Sequence, residues 1–214
     1  MRLTFCIRVF KMFSMDGYFA LPFVLPYAFA FWGVLIWAYY IEGVQHKRSQ
    51  QRMAKHDGAD KYSGLVIAIG STVLQFAAFG LTFYAPWRIS EPQIYIYFWA
   101  GLALVVTGML LRKHCWRVLG EFFTPTVTIA KEHKVVDKGA YKWVRHPSYS
   151  GAIMTAVGVG LALGNYGSIA VMVIGHIAIY IYRIEAEETA LERALGEAYA
   201  KFKSNRRRLI PFVY

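Results

Sequence analysis

The chain has 214 residues, 57% hydrophobic and 17% aromatic, with only 17% charged and a mean hydropathy of +0.34. That balance excludes an ordinary soluble domain and points to an all-α integral membrane protein. The formal net charge of +11 is accounted for by basic loops facing anionic membrane lipids, at about 1 kcal/mol per nearby Lys or Arg, so nucleic acid is not needed as a partner.

In chain order, residues 1–17 form an N-terminal extension whose Arg2, Arg8 and Lys11 interrupt its apolar residues too often for a signal-peptide core. A short interfacial helix fits, and Met15 is an alternative start. Residues 18–111 then hold three transmembrane windows, Phe19–Ile41, Leu65–Ala85 and Ile94–Leu111, none containing Asp, Glu, Lys or Arg. Each approaches the roughly 20 apolar residues that cross about 30 Å of hydrocarbon. Pro22 and Pro26 interrupt the first, which a membrane helix tolerates where neighbours satisfy the freed carbonyls.

The next apolar window, Gly151–Tyr182, is too long for one ordinary span and carries turn residues, Gly164-Asn165-Tyr166-Gly167, near its middle. A transmembrane hairpin fits better, and the basic residues agree. With a hairpin, residues 42–64, 112–150 and 183–214 share one face and hold 20 of the 24 Lys and Arg; a single span would split them 13 to 11. The expectation is therefore about five transmembrane segments, with the amino terminus outside and the catalytic face and carboxyl terminus cytoplasmic. Gly158 and Gly160 suit close helix packing.

Cys6 and Cys115 fall on opposite sides of this topology and are not expected to pair. His114, Cys115, His133 and His146 lack the spacing of a recognised metal site, so no metal is expected. Phosphate-binding glycine loops and a Gly-x-Ser-x-Gly elbow are absent from the sequence.

What remains is a divided polar constellation. Pro147 pushes His146 toward an extended conformation and favours a helix starting at Pro147. Ser148, Tyr149 and Gly151 then lie in its first turns, where backbone N–H groups and the dipole favour an anionic ligand group. Arg145 is read either as part of this site or as a lipid-phosphate anchor. The second half, Arg183-Ile184-Glu185-Ala186-Glu187-Glu188, emerges from the hairpin, and Arg183 and Glu187 share one helix face. They form an ion pair, or they hold two different ligands side by side. Leu191, Leu195, Tyr199 and Phe202 make a stripe suited to a helix lying over the preceding loop or on lipid, and Arg206-Arg207-Arg208 is expected at headgroups.

With Gly120-Glu121-Phe122-Phe123-Thr124, His133-Lys134-Val135-Val136, Gly139 to Gly151, Asn165, Arg183-x-x-x-Glu187-Glu188, Tyr199 and Pro211 in this order, the stretch from Leu119 to Pro211 resembles the isoprenylcysteine carboxyl methyltransferase family, which is related to membrane phospholipid methyltransferases. The resemblance implies that residues 112–214 are a catalytic methyltransferase region. It also implies that S-adenosyl-L-methionine binds on the cytoplasmic side and that a lipid-modified, prenylcysteine-like acceptor enters from the bilayer. Carried over by motif, the cofactor contacts fall on His133, Lys134, Val135, Val136, Tyr141, His146, Pro147, Ser148, Tyr149 and Glu187. Arg183 falls at the substrate-binding, catalytic position. Relatives carry a Gln about seven residues before His133, where this chain has Thr126; Thr126 or Thr128 is the substitute.

The chemistry suits these residue types. Tyr141 and Tyr149 offer aromatic faces to a sulfonium, and Glu187 suits an ammonium or ribose hydroxyls. An acceptor carboxylate is already an anion and needs no general base, only the Arg183 fork and an apolar wall that excludes water. Alternatives are methyl transfer to a phospholipid amine, with Glu188 or Glu185 as base, or to a small thiol. A non-enzymatic membrane scaffold or transporter is the alternative of another class. Either a prokaryotic plasma membrane or the endoplasmic reticulum agrees with the charge layout.

Overall fold

Apolar character sustained over whole windows, rather than a strong one-sided stripe, produces long helices. The computed structural model describes residues 20–53, 62–123 and 135–209. The expectations for residues 1–17, Cys6, Thr126, Thr128, His133, Lys134 and Pro211 lie outside the described residues. The described chain is helical throughout, with α1 Tyr27–Met53, α2 Tyr62–Tyr84, α3 Gln93–Leu119, α4 Pro147–Ala162, α5 Tyr166–Leu195 and α6 Glu197–Ser204. Short 3-10 turns occupy Leu21–Phe23, Gly120–Phe122 and Gly139–Lys142. Helices α1, α2, α3 and α5 are long and apolar enough to cross a membrane. Helix α4 has 16 residues and so rises only about 24 Å.

Three helices run past the ends of their sequence windows, for a common reason. A hydropathy window stops at the first charge, whereas a helix continues until its backbone is capped. Helix α1 therefore runs past Ile41 to Met53, and α3 runs past Leu111 to Leu119. Helix α5 carries the hairpin's second limb straight through Arg183 and Glu188 to Leu195. Pro22 and Pro26 lie ahead of α1, not within it, where a missing N–H removes no helical bond.

Helices α3 and α4 lie antiparallel and meet through glycines at two levels. A Cβ on Gly101 would stand 2.5 Å from the Gly158 carbonyl oxygen, and one on Gly108 would stand 2.5 Å from that of Gly151. Only residues without a side chain let the two backbones approach this closely. Around the contact, Phe98, Leu102, Val105, Met109, Val159, Leu163 and Met172 form the buried core. The outward faces of α1 and α2 expose Phe29, Ile36, Ile69 and Phe76, as a lipid-facing surface requires.

The turn between α4 and α5 is fixed by polar contacts. Gly164 takes φ 67°, and Asn165 caps α5 by accepting from Gly167 N at 2.9 Å and Ser168 N at 3.2 Å. The α2–α3 connection clasps this turn: Ile89 N donates to Gly164 O at 2.9 Å, and Tyr166 N donates to Trp87 O at 2.8 Å. Ser168, buried between α5 and α2, donates to Ala78 O at 2.6 Å.

At the opposite end, Gly196 takes φ 52° and separates α5 from α6, interrupting the expected stripe after Leu195. Tyr199 and Phe202 are buried, and the chain after α6 returns to the segment before α4. Arg145 N donates to Arg207 O and His146 N to Arg208 O, both at 2.9 Å, while the Ser150 hydroxyl donates to Leu209 O at 2.6 Å.

Replacing Gly151 with Ala would place a methyl 2.7 Å from Gly108 O, whereas a Cβ on Gly33 meets no described residue within 4 Å. Gly151→Ala is expected to destabilise the detergent-purified protein by about 1–3 kcal/mol, seen as a lowered thermal midpoint. Gly33→Ala is expected to leave that midpoint unchanged or slightly higher.

Candidate active site

Helix α4 starts at Pro147, as the proline predicts, and His146 is its N-cap residue with φ −125°. The first turn does not present all its donors outward. Tyr149 N and Ser150 N donate to His146 O at 3.0 and 3.2 Å, which narrows the expected anion site at this helix start. The Ser148 hydroxyl is buried and has no hydrogen-bond partner among the described residues. An unmet hydroxyl at a helix start suits a ligand with polar groups, and it is the local feature that fits an occupant there.

Tyr149 joins the two halves of the constellation. Its ring stacks on His146, with centroids 5.5 Å apart and planes 11° apart, and packs on Tyr180 at 5.1 Å. Its hydroxyl donates to Glu187 Oε2 and accepts from Arg183 Nε at 3.1 Å. Arg183 Nη1 donates to Ser63 Oγ, and Arg183 Nε lies 3.9 Å from Glu187 Oε2. The i,i+4 pair therefore forms, with Tyr149 wedged into it. Arg183 is buried, while the Glu187 side chain is 28% exposed and is the more open of the two.

Tyr141 follows Gly139, whose φ of 58° turns the chain into the 3-10 segment. It is buried, and burial, with Cys115 and Glu187 nearby, pushes its hydroxyl well above the ordinary phenol range. It is therefore neutral at physiological pH. Val135 and Val136 lie half-buried in the irregular segment leading to this turn.

Glu188 is the residue whose role the sequence left unassigned. Its buried carboxylate accepts from Arg145 Nε at 2.7 Å and His146 Nε2 at 3.0 Å. Its other oxygen lies 3.5 Å from Arg208 Nε and 3.6 Å from Lys203 Nζ. His146 thus points its Nε2 proton at protein. Arg145 also donates through Nη1 to Lys203 O at 2.9 Å and to Arg206 O. Burial, with Glu188 close by, raises the Tyr199 hydroxyl above its usual range.

These contacts decide an open reading of Arg145 and correct the expectation for the Arg206–Arg208 run. Arg145 is committed to Glu188 and to backbone carbonyls instead of lipid phosphate. In the Arg206-Arg207-Arg208 run, Arg206 pairs with Asp137 at 2.7 Å and lies 4.5 Å over Phe202, and Arg208 faces Glu188. Only Arg207 is an exposed side chain.

The structure thus gathers Tyr141, His146, Pro147, Ser148, Tyr149, Arg183 and Glu187 around one site and adds Ser63, Tyr180, Arg112 and Glu42. Arg112 Nη2 pairs with Glu42, and Nη1 donates to Ser148 O at 3.4 Å. Glu42 and Arg112 are the first charges after the first and third apolar windows, a signal available in the sequence. Ser63 carries no such signal.

A model of the Isoprenylcysteine carboxyl methyltransferase (ICMT) family matches residues 101–193, from the middle of α3 almost to the end of α5. The resemblance to that family holds. The ICMT-like stretch includes every described residue of the gathered cluster except Glu42 and Ser63. The chain is 33% identical over 115 residues to protein-S-isoprenylcysteine O-methyltransferase B of Arabidopsis thaliana, covering 53% of this chain and 58% of that protein. It is 32% identical over 115 residues to the protein-S-isoprenylcysteine O-methyltransferase of Xenopus laevis, covering 53% and 40%. The matches therefore span less than two thirds of either relative. The solved structure of the eukaryotic intramembrane Ras methyltransferase ICMT shares the fold, with a TM-score of 0.58 and 22% identity over 90% of this chain and 70% of that one.

Removing the Glu188 carboxylate would leave Arg145 buried without its counter-ion. Glu188→Ala is expected to destabilise by about 3–5 kcal/mol. Limited trypsin digestion should then cut at Arg206–Arg208 faster than in the wild type, and an unchanged cleavage rate would contradict the role given to Glu188.

Proposed function

We propose that the chain is an S-adenosyl-L-methionine-dependent methyltransferase acting on the carboxylate of a lipid-modified, prenylcysteine-like acceptor that enters from the bilayer. The observation that carries this reading is the Tyr149 hydroxyl set between Arg183 and Glu187, because it keeps a fixed cation and a fixed anion side by side without merging them. Bound S-adenosyl-L-methionine supplies an electrophilic methyl group on a sulfonium. In this reading Tyr141 and Tyr149 face that positive charge, and Glu187 receives the ammonium or ribose hydroxyls. Ser148, with its unmet hydroxyl, and His146 contact the polar end, with Pro147 fixing the helix start. Val135 and Val136, with His133 and Lys134 ahead of them, complete the donor side.

Arg183 grips the acceptor carboxylate and aims it, and the apolar surroundings remove its hydration. Tyr149 and Ser63 restrict the guanidinium beforehand, so less orientation is lost on binding. An amine acceptor needs a base. Glu188, one candidate, is surrounded by Arg145, His146, Lys203 and Arg208, and Glu185, the other, lies exposed. Both facts support the carboxylate over the phospholipid amine.

In the proposed topology, residues 18–111 contribute three spans and the α4–α5 hairpin two more. The amino terminus lies outside, and residues 112–214 form the catalytic region around a cytoplasmic pocket. The short α4 agrees with a helix that starts inside the protein, beside the pocket, instead of at the lipid surface.

Calorimetry of the full chain in detergent with S-adenosylhomocysteine tests the donor half. Micromolar binding, weakened at least tenfold by Glu187→Ala and by His146→Ala, is expected; a folded wild type that does not bind refutes the enzyme and favours the scaffold. Methyl incorporation into N-acetyl-farnesylcysteine, measured against phosphatidylethanolamine, tests the acceptor. Arg183→Lys is expected to lower kcat/KM for the carboxylate roughly tenfold or more, since Lys lacks the planar fork, and near-normal turnover would refute its role.

A further inference from the structure

Arg112 lies outside the Arg-His-Pro and Arg-x-x-x-Glu-Glu motifs, near the end of α3, and is buried. Its stem fits because residue 151 is glycine: a Cβ there would stand 2.9 Å from Arg112 Cγ. Laid flat against the start of α4, the guanidinium reaches three other helices. It pairs with Glu42 of α1, donates to Ser148 O of α4 at 3.4 Å, and lies near the Tyr180 hydroxyl of α5, within its electrostatic reach. It also lies 5.0 Å over Trp116 of its own helix.

Stability alone does not account for this arrangement. An apolar set of similar volume often serves as well as a buried ion pair. It would not provide a forked cation that joins Glu42 and the Ser148 carbonyl while lying beside a tyrosine hydroxyl. Tyr180 lies in a row of rings that runs from His176 through Tyr180 and Tyr149 to His146. Arg112 thus borders Tyr149 from two sides, at the Ser148 carbonyl and beside the hydroxyl end of Tyr180; the Tyr180 ring bears on Tyr149, and the Tyr149 hydroxyl sets Arg183 against Glu187.

We propose that Arg112, with Glu42 as its counter-ion, is a positioning residue for the acceptor-binding half of the site, acting through Tyr180 and Tyr149 on the orientation of Arg183. The inference rests on the carboxylate-acceptor reading above. Glu42 extends the determinants of acceptor binding to α1, outside the ICMT-like stretch. Arg112→Lys keeps the charge for Glu42 but loses the fork, and Tyr180→Phe removes only the hydroxyl at its other end.

The test is a double-mutant cycle on the full chain in detergent. Its readouts are the dissociation constant of N-acetyl-farnesylcysteine for protein loaded with S-adenosylhomocysteine, the dissociation constant of S-adenosylhomocysteine itself, and the thermal midpoint. Each single variant is expected to weaken acceptor binding roughly fivefold, with donor binding changed less than twofold. The double variant should be no weaker than either single one, because both changes break one chain of contacts. Additive losses, unchanged acceptor binding, or equal losses of donor binding and thermal midpoint would each overturn the proposal. A wild type that binds S-adenosylhomocysteine but not N-acetyl-farnesylcysteine overturns the acceptor reading itself, and this proposal with it.

Discussion

The buried carboxylate of Glu188 is where three stretches of chain meet: the end of α5, the segment entering α4, and the return after α6. An uncompensated carboxylate at that depth would be costly. Arg145 and His146 make direct hydrogen bonds to it, and Lys203 and Arg208 add positive charge. Because His146 is held here, Pro147 starts α4 at a fixed place, and Tyr149, one residue beyond Ser148, faces Arg183 and Glu187. The neighbouring acids therefore divide the work. Glu188 secures the architecture, and Glu187, one residue earlier and more open, faces the site.

Much of this was legible in the sequence, and the reasons differ by element. The start of α4 followed from Pro147 and the hairpin turn from Gly164-Asn165, because both are local backbone rules that tertiary packing had no cause to override. The pairing of Arg183 with Glu187 followed from helix periodicity alone. Helix ends were less legible, since charge marks where lipid stops and not where hydrogen bonding stops; α1 and α3 both continue past their apolar windows. Long-range partners were not legible at all. Nothing near Ser63 announces Arg183, and the position of Glu42 and Arg112 just past their apolar windows marks both without pairing them, because those contacts come from how α1 and α2 pack against the later helices. The basic run at 206–208 was misread because composition suggests lipid, while its backbone carbonyls and two of its side chains meet Arg145, Asp137 and Glu188.

Close packing and polar bonding cooperate along one helix pair. The glycine contacts bring α3 and α4 near enough for Arg112 to reach Ser148, so a steric feature of the apolar region sets the reach of a charged group at the site. At the other end of the hairpin, Asn165 and its clasp by the α2–α3 connection hold the turn. The two ends are thus secured by different chemistry: backbone bonds and a cap at the turn, charged side chains at the site.

The return of the chain after α6 has a consequence for biogenesis. Backbone bonds from Arg145 and His146 end on Arg207 and Arg208, so the segment entering α4 cannot take its final form until residue 208 has left the ribosome. The earlier helices can be inserted and packed while synthesis is still under way. The groups around His146 and Tyr149 are ordered only once that returning segment has been made, which delays their final arrangement until the helices around them exist.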